Sequence, residues 1–157
     1  MTSETETPTH EVDRDIYGMP AFVTLPTSDV TASRSWYASL GFVELAVMPL
    51  GADAPSLVHL RRYRYQDILL VPTEGPVRAG DARMAFAHTG PLEELDDIAA
   101  AARDHGGGHV EGPHQTAWYS VDLVAHDPDG HVVVLTARST QPPPREWSDA
   151  VRASVQA

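Results

Sequence analysis

The chain has 157 residues, no cysteine, and a formal charge of −11. Its 11 basic residues are all Arg, so disulfides, thiolate metal sites, a cysteine nucleophile and a Schiff-base lysine are all excluded. The acidic balance argues against nucleic acid and anionic membranes, and no apolar run is long enough to span a bilayer.

Residues 1–17 hold Glu4, Glu6, Glu11, Asp13 and Asp15 against Arg14 and read as a flexible acidic arm, without the basic start and apolar stretch of a signal peptide. A cytoplasmic location is expected. Ala21–Leu25 reads as a strand ended by Pro26. Thr27-Ser28-Asp29 opens a helix, Val30 to Leu40, stopped by Gly41. Phe42–Met48, Ser56–Arg61 and Ile68–Val71 read as three more strands. Thr73 to Gly80 is a Pro/Gly-rich linker. The pattern then restarts with a strand at Arg83–Ala87. An amphipathic helix runs from Pro91 to His105, its acids crowding the first half where the helix dipole favours them. Gly106-Gly107-Gly108 stops it, and strands follow at His109–Glu111, Trp118–Ala125 and Val132–Ala137. The tail from Ser139 carries Pro142-Pro143-Pro144 and a short helix from Glu146 to Val155.

Each half therefore reads βαβββ, which predicts an α+β fold of two tandem modules, 18–72 and 81–138, joined by the linker 73–80 and followed by a tail, 139–157. Three local signatures accompany it. They are Leu25-Pro26-Thr27-Ser28-Asp29 leading to Trp36-Tyr37-Ala38-Ser39-Leu40-Gly41-Phe42, the second helix with its glycines, and the turn Asp127-Pro128-Asp129-Gly130. Together they resemble the vicinal oxygen chelate superfamily of glyoxalases, bleomycin-resistance proteins and extradiol dioxygenases. Gly112-Pro113 and Trp118 are most similar to the bleomycin-resistance branch. The resemblance implies curved sheets around a cleft and a homodimer.

In metal-dependent members of that family, ligands sit on the first and last strands of each module. Those positions fall here on Phe22, near Arg83, on Val134, and within Ile68 to Val71. None is a donor suited to a divalent cation, so no metal and no cofactor are expected. Of the histidines, His10 lies in the arm, His105 and His109 bracket the glycines, and His126 and His131 flank the turn as solvated partners. His59 and His88 alone lie on strands or strand ends that face a cleft, with His114 on a nearby loop.

By the period-two rule Phe22, Thr24, Arg83, Ala85, Val132, Val134 and Thr136 share one facing set, and Trp118, Ser120 and Asp122 another. A register slip of one residue would expose Val23, Leu25, Met84, Phe86, Val133 and Leu135 instead. The expected ligand-binding residues are Phe22, Thr24, His59, Arg83, Trp118, Asp122, Val134 and Thr136, with an ion pair between Arg83 and Asp122 as the alternative for that Arg. Tyr119, or Tyr63 and Tyr65, would edge the mouth. The resemblance implies a metal-independent protein that sequesters an antibiotic or other aromatic natural product. The alternatives are a glyoxalase-like enzyme, either a metal-independent lyase, isomerase or cyclase using Asp122 or a His as acid/base or a metal enzyme with displaced ligands, and a module that binds no ligand.

Overall fold

The computed structural model describes residues 12–15 and 19–155. The elements run β1 (Phe22–Thr27), α1 (Val30–Ser39), β2 (Val43–Met48), β3 (Leu57–Arg62), β4 (Gln66–Pro72), β5 (Arg83–Ala87), α2 (Glu94–His105), β6 (His109–Gln115), β7 (Ser120–His126), β8 (Val132–Arg138) and α3 (Arg145–Val155). They form two four-stranded sheets, ordered β1-β4-β3-β2 and β5-β8-β7-β6. In each, the first strand pairs parallel with the fourth, and the remaining pairs are antiparallel. The two βαβββ modules are thus present, with the same topology. No helix among the described residues is long and apolar enough to cross a membrane.

Local chemistry sets most boundaries. Asp29 caps α1, its carboxylate accepting from Ala32 N at 3.0 Å. Gly41 leaves the helix at φ 91°. Pro26 lies inside β1 and does not end it. Having no N–H to offer, it is tolerated because β1 is an edge strand. Trp118 lies in the turn before β7, which starts only at Ser120. The first residues after Pro91 make turn-type bonds, Glu94 N to Pro91 O and Leu95 N to Leu92 O, so α2 opens at Glu94. β6 continues past a bulge between Glu111 and His114.

One core serves both modules. Leu25, Trp36, Tyr37, Leu40, Phe42, Ile68 and Leu70 from the first join Leu95, Ala99, Leu123, Val133 and Leu135 from the second. Phe42 and Phe86 meet edge to face across the seam, 5.7 Å between centroids. Gly108 lets β6 approach closely: a Cβ there would lie 2.7 Å from the Trp36 ring and against His126 O.

Candidate functional site

Each sheet turns one face to this core and leaves the other open. In sheet 1, the register Val23↔Ile68 and Leu25↔Leu70 fixes the core face. Phe22, Thr24 and Leu69 therefore lie on the open face with His59 and Arg61, since His59↔Leu69 and Arg61↔Asp67 are partners. In sheet 2, Met84, Phe86, Val133 and Leu135 turn inward. Arg83↔Val132, Ala85↔Val134, Asp122↔Thr136 and Ser120↔Arg138 occupy the open face. Phe22, Thr24, Arg83, Ala85, Val132, Val134 and Thr136 share the open faces with Ser120 and Asp122, whereas Trp118 precedes β7 and drops out of its set; the slipped register is excluded.

On sheet 1 the open face has two characters. Phe22 is 52% exposed and Thr24 is exposed beside it. A few residues away lies a buried polar cluster. Asp67 Oδ1 accepts from Arg61 Nε at 2.7 Å and lies 2.6 Å from His59 Nε2. All three side chains are buried. Part of the acidic arm lies against Arg61. Arg61 Nη1 donates to the carbonyls of Asp13 (2.9 Å) and Asp15 (2.6 Å), and Tyr65 lies 5.8 Å from the guanidinium. Arg64 of the same turn pairs with Asp13 at 3.3 Å. The Asp13 carboxyl is held below its usual range, first by the Asp15 backbone N–H and then by the arginines. Residues 1–11, with His10, and 16–18 lie outside the described residues.

On sheet 2, Asp122 Oδ1 accepts from Ser120 Oγ (2.8 Å) and Thr136 Oγ1 (2.7 Å). The alternative ion pair between Arg83 and Asp122 is not formed, because Arg83 lies level with Val132 and Asp122 with Thr136, four residues further along β8. Val134 is buried between its neighbours while Arg83 and Ala85 are exposed. Trp118, 64% exposed, stands at the end of this face and not on a strand. Among the described residues, no hydrogen bond or ring contact links Phe22, Thr24 and His59 to Arg83, Asp122, Val134 and Thr136. Within one chain they form two walls, one on each sheet.

Two histidines belong to the seam between modules. His131 is buried, not solvated, and donates through Nε2 to Pro26 O at 2.7 Å. His88 does not face a cleft. Its Nδ1 accepts from Arg62 Nη2 at 2.6 Å, which leaves Nε2–H to donate to Pro91 O at 2.9 Å. Burial holds the Arg62 guanidinium below its ordinary pKa, with Tyr63 and Glu94 opposing. Tyr63 is drawn to the same seam, where its hydroxyl accepts from Gly90 N at 3.2 Å. Opposite, the Asp127 carboxylate accepts from Tyr37 Oη (2.8 Å) and from the backbone N–H groups of Asp129 and His131 (2.9 Å each). Burial raises the Asp127 pKa despite those bonds, and burial with the Asp127 charge raises that of Tyr37 far above the usual phenol value. Asp129 accepts from Ser28 Oγ at 2.5 Å. The Asp-Pro-Asp-Gly turn is therefore a clasp on the start of α1.

With this geometry the comparisons agree. Residues 20–135 match the Glyoxalase/Bleomycin resistance protein/Dioxygenase superfamily. The chain belongs to this superfamily. Among solved structures of like fold is a glyoxylase/bleomycin resistance protein/dioxygenase domain from Frankia sp. EAN1pec, 18% identical, with a TM-score of 0.61, covering 75% of this chain and 95% of that one. TnmS3, an antibiotic binding protein from Streptomyces sp. CB03234, is 23% identical with a TM-score of 0.57 over 75% and 93%. A bleomycin resistance determinant encoded on transposon Tn5 is 18% identical with a TM-score of 0.52 over 77% and 98%. No curated protein matches by sequence.

The superfamily's metal positions can now be tested against the side chains on the open faces. They carry Phe22, Leu69, Arg83 and Val134: an aromatic ring, two aliphatic groups and a guanidinium. None is a ligand for a divalent cation. The nearby His59 and Asp67 are already joined to each other and to Arg61. Among the described residues, no three His, Asp or Glu side chains group to hold a metal ion. The donor set does not fit the superfamily's metal.

Alternation located most of the face but missed Asp67 and Arg61. Asp67 was reachable, since it lies two residues before Leu69 and so on the same face. Nothing local to the sequence foretold that the arm would lie against Arg61.

Proposed function

We propose that this protein binds and sequesters a small aromatic molecule, of the antibiotic or natural-product kind, on the open faces of its two sheets, without a metal. The observation that carries the reading is Phe22. An aromatic side chain, 52% exposed, stands at a metal-ligand position of the superfamily, flanked by exposed Thr24. Such a surface offers stacking area and a polar fixture and no Lewis acid. Arg83, Asp122, Val134 and Thr136 form the second wall, with Trp118 at its edge, while His59 supports the first wall from its buried cluster with Asp67. The antibiotic binding named for one structural relative is compatible with this chemistry.

In this reading a homodimer brings the walls of two chains together, because neither wall alone encloses a ligand. The protein works in the cytoplasm. The test is a calorimetric and thermal-shift titration with bleomycin and a panel of aromatic antibiotics, alongside light scattering. Stoichiometric binding by a dimer, with a raised Tm and recovery of the unchanged drug, is expected. Phe22→Ala should weaken it by about tenfold, the loss of roughly 1.4 kcal/mol of contact. Recovery of a converted product would replace sequestration by catalysis, and no binding across the panel would sink the reading.

A further inference from the structure

We propose that a second pocket, between the turn at 116–119 and the C-terminal extension, binds a planar aromatic acid. Its ring lies against Trp118 and Trp147, and its acidic group is met by Arg138. The pocket has a volume of about 590 Å³, within the range of small-molecule sites, and its walls include Trp118, Tyr119, Arg138, Pro142, Pro143 and Trp147. All but the first two of these lie beyond residues 20–135, the span shared with the superfamily. This is a feature of this chain's own extension.

The walls are held in place. Tyr119 and Trp147 meet edge to face at 5.0 Å, joining the turn to α3. The turn closes on itself through Thr116 N to Ser120 O at 2.8 Å, with Tyr119 at φ 65°. The extension is tied to it by Ser139 N to Tyr119 O (3.3 Å) and Ser139 Oγ to Gln115 Oε1 (3.2 Å). Into this frame Trp118 presents a large ring that remains 64% exposed.

Charge selects the ligand. Acidic residues outnumber basic ones 22 to 11, and five of the arginines pair with a carboxylate: Arg34 with Glu44, Arg61 with Asp67, Arg64 with Asp13, Arg145 and Arg152 with Asp149. Arg138 has no acidic partner among the described residues. An aromatic box next to a free guanidinium repels an organic cation. A neutral ring would fill the box and leave the guanidinium unmatched. An aromatic carboxylate satisfies both, through stacking and a charge-assisted, two-pronged hydrogen bond.

This inference shares only Trp118 with the open-face reading above, and one experiment separates them. The full-length protein is titrated with 1-naphthoate and with 1-naphthalenemethanol, followed by tryptophan fluorescence and calorimetry. We expect naphthoate to saturate one site per chain and to bind about tenfold more tightly than the alcohol, a difference typical of one charge-assisted contact. Arg138→Gln should erase that preference, and Trp147→Ala should weaken both ligands. Phe22→Ala should change neither. Equal binding of acid and alcohol overturns the proposal, as does the absence of saturation. Loss on Phe22→Ala with none on Trp147→Ala overturns it too, while supporting the open-face reading.

Discussion

Arg61 and Asp67 are a buried ion pair whose polar partners, among the described residues, are each other, His59 and two backbone carbonyls. Removing one member strands the other's charge away from water, which costs about 3–5 kcal/mol. Asp67→Ala should therefore lower unfolding stability in urea by that amount. The double variant Arg61→Met with Asp67→Leu should lose clearly less, since it buries no orphan charge. Tyr37 allows a test by pH. Its folded-state pKa lies above the ordinary value of 10.0, so above that pH the unfolded chain gives up a proton that the native one keeps. The stability from this group is complete below pH 10.0 and is lost as pH rises further. Tyr37→Phe should cost about 1–2 kcal/mol near neutrality, for the hydrogen bond removed from buried Asp127, and should flatten that alkaline loss. Urea unfolding on both sides of the phenol pKa checks both. At this scale the sequence was partly legible. Tyr37 and the Asp127 turn stood out separately, but their contact joins residues 90 apart, and no local pattern encodes it.

Among elements, the β7–β8 turn and the β3–β4 turn do equivalent work for opposite modules. The first holds the β1–α1 junction through Ser28, Tyr37 and Pro26 O. The second holds the β5–α2 junction through Gln66 Nε2 to Ala87 O (2.6 Å) and Arg62 to His88. Only the first carries Asp-Pro-Asp-Gly. The second relies on Arg62-Tyr63-Arg64-Tyr65-Gln66, with both tyrosines at positive φ, and shows no conventional turn residues. That is why the sequence revealed one clasp and hid its counterpart. Strand identity was legible from alternation, but ends drifted by two residues at Pro26 and Trp118, and by four at Gly112-Pro113, where β6 runs on to Gln115. Gly108→Ala tests how tightly β6 sits against α1. The added methyl would meet the Trp36 ring and a backbone carbonyl, neither of which can yield freely. A loss of about 1–3 kcal/mol in a thermal melt is expected.

For the molecule as a whole, the duplicated pattern was legible, while the shared core was not, because periodicity says which face is buried but not against what. Since residues of both modules enter one core, the two halves should melt together. Calorimetry should give a single transition whose van't Hoff and calorimetric enthalpies agree. A chelator should leave that transition where it is, given Phe22, Leu69, Arg83 and Val134 at the superfamily's metal positions. Finally, the carbonyls of Asp13 and Asp15 bind a guanidinium 48 and 46 residues later in the chain. During synthesis that segment is made before Arg61 and Asp67, and these contacts form only once sheet 1 is assembled. Its docking is a late event of biogenesis, and a fusion partner joined at the amino end would hang from the very stretch of chain that docks on Arg61.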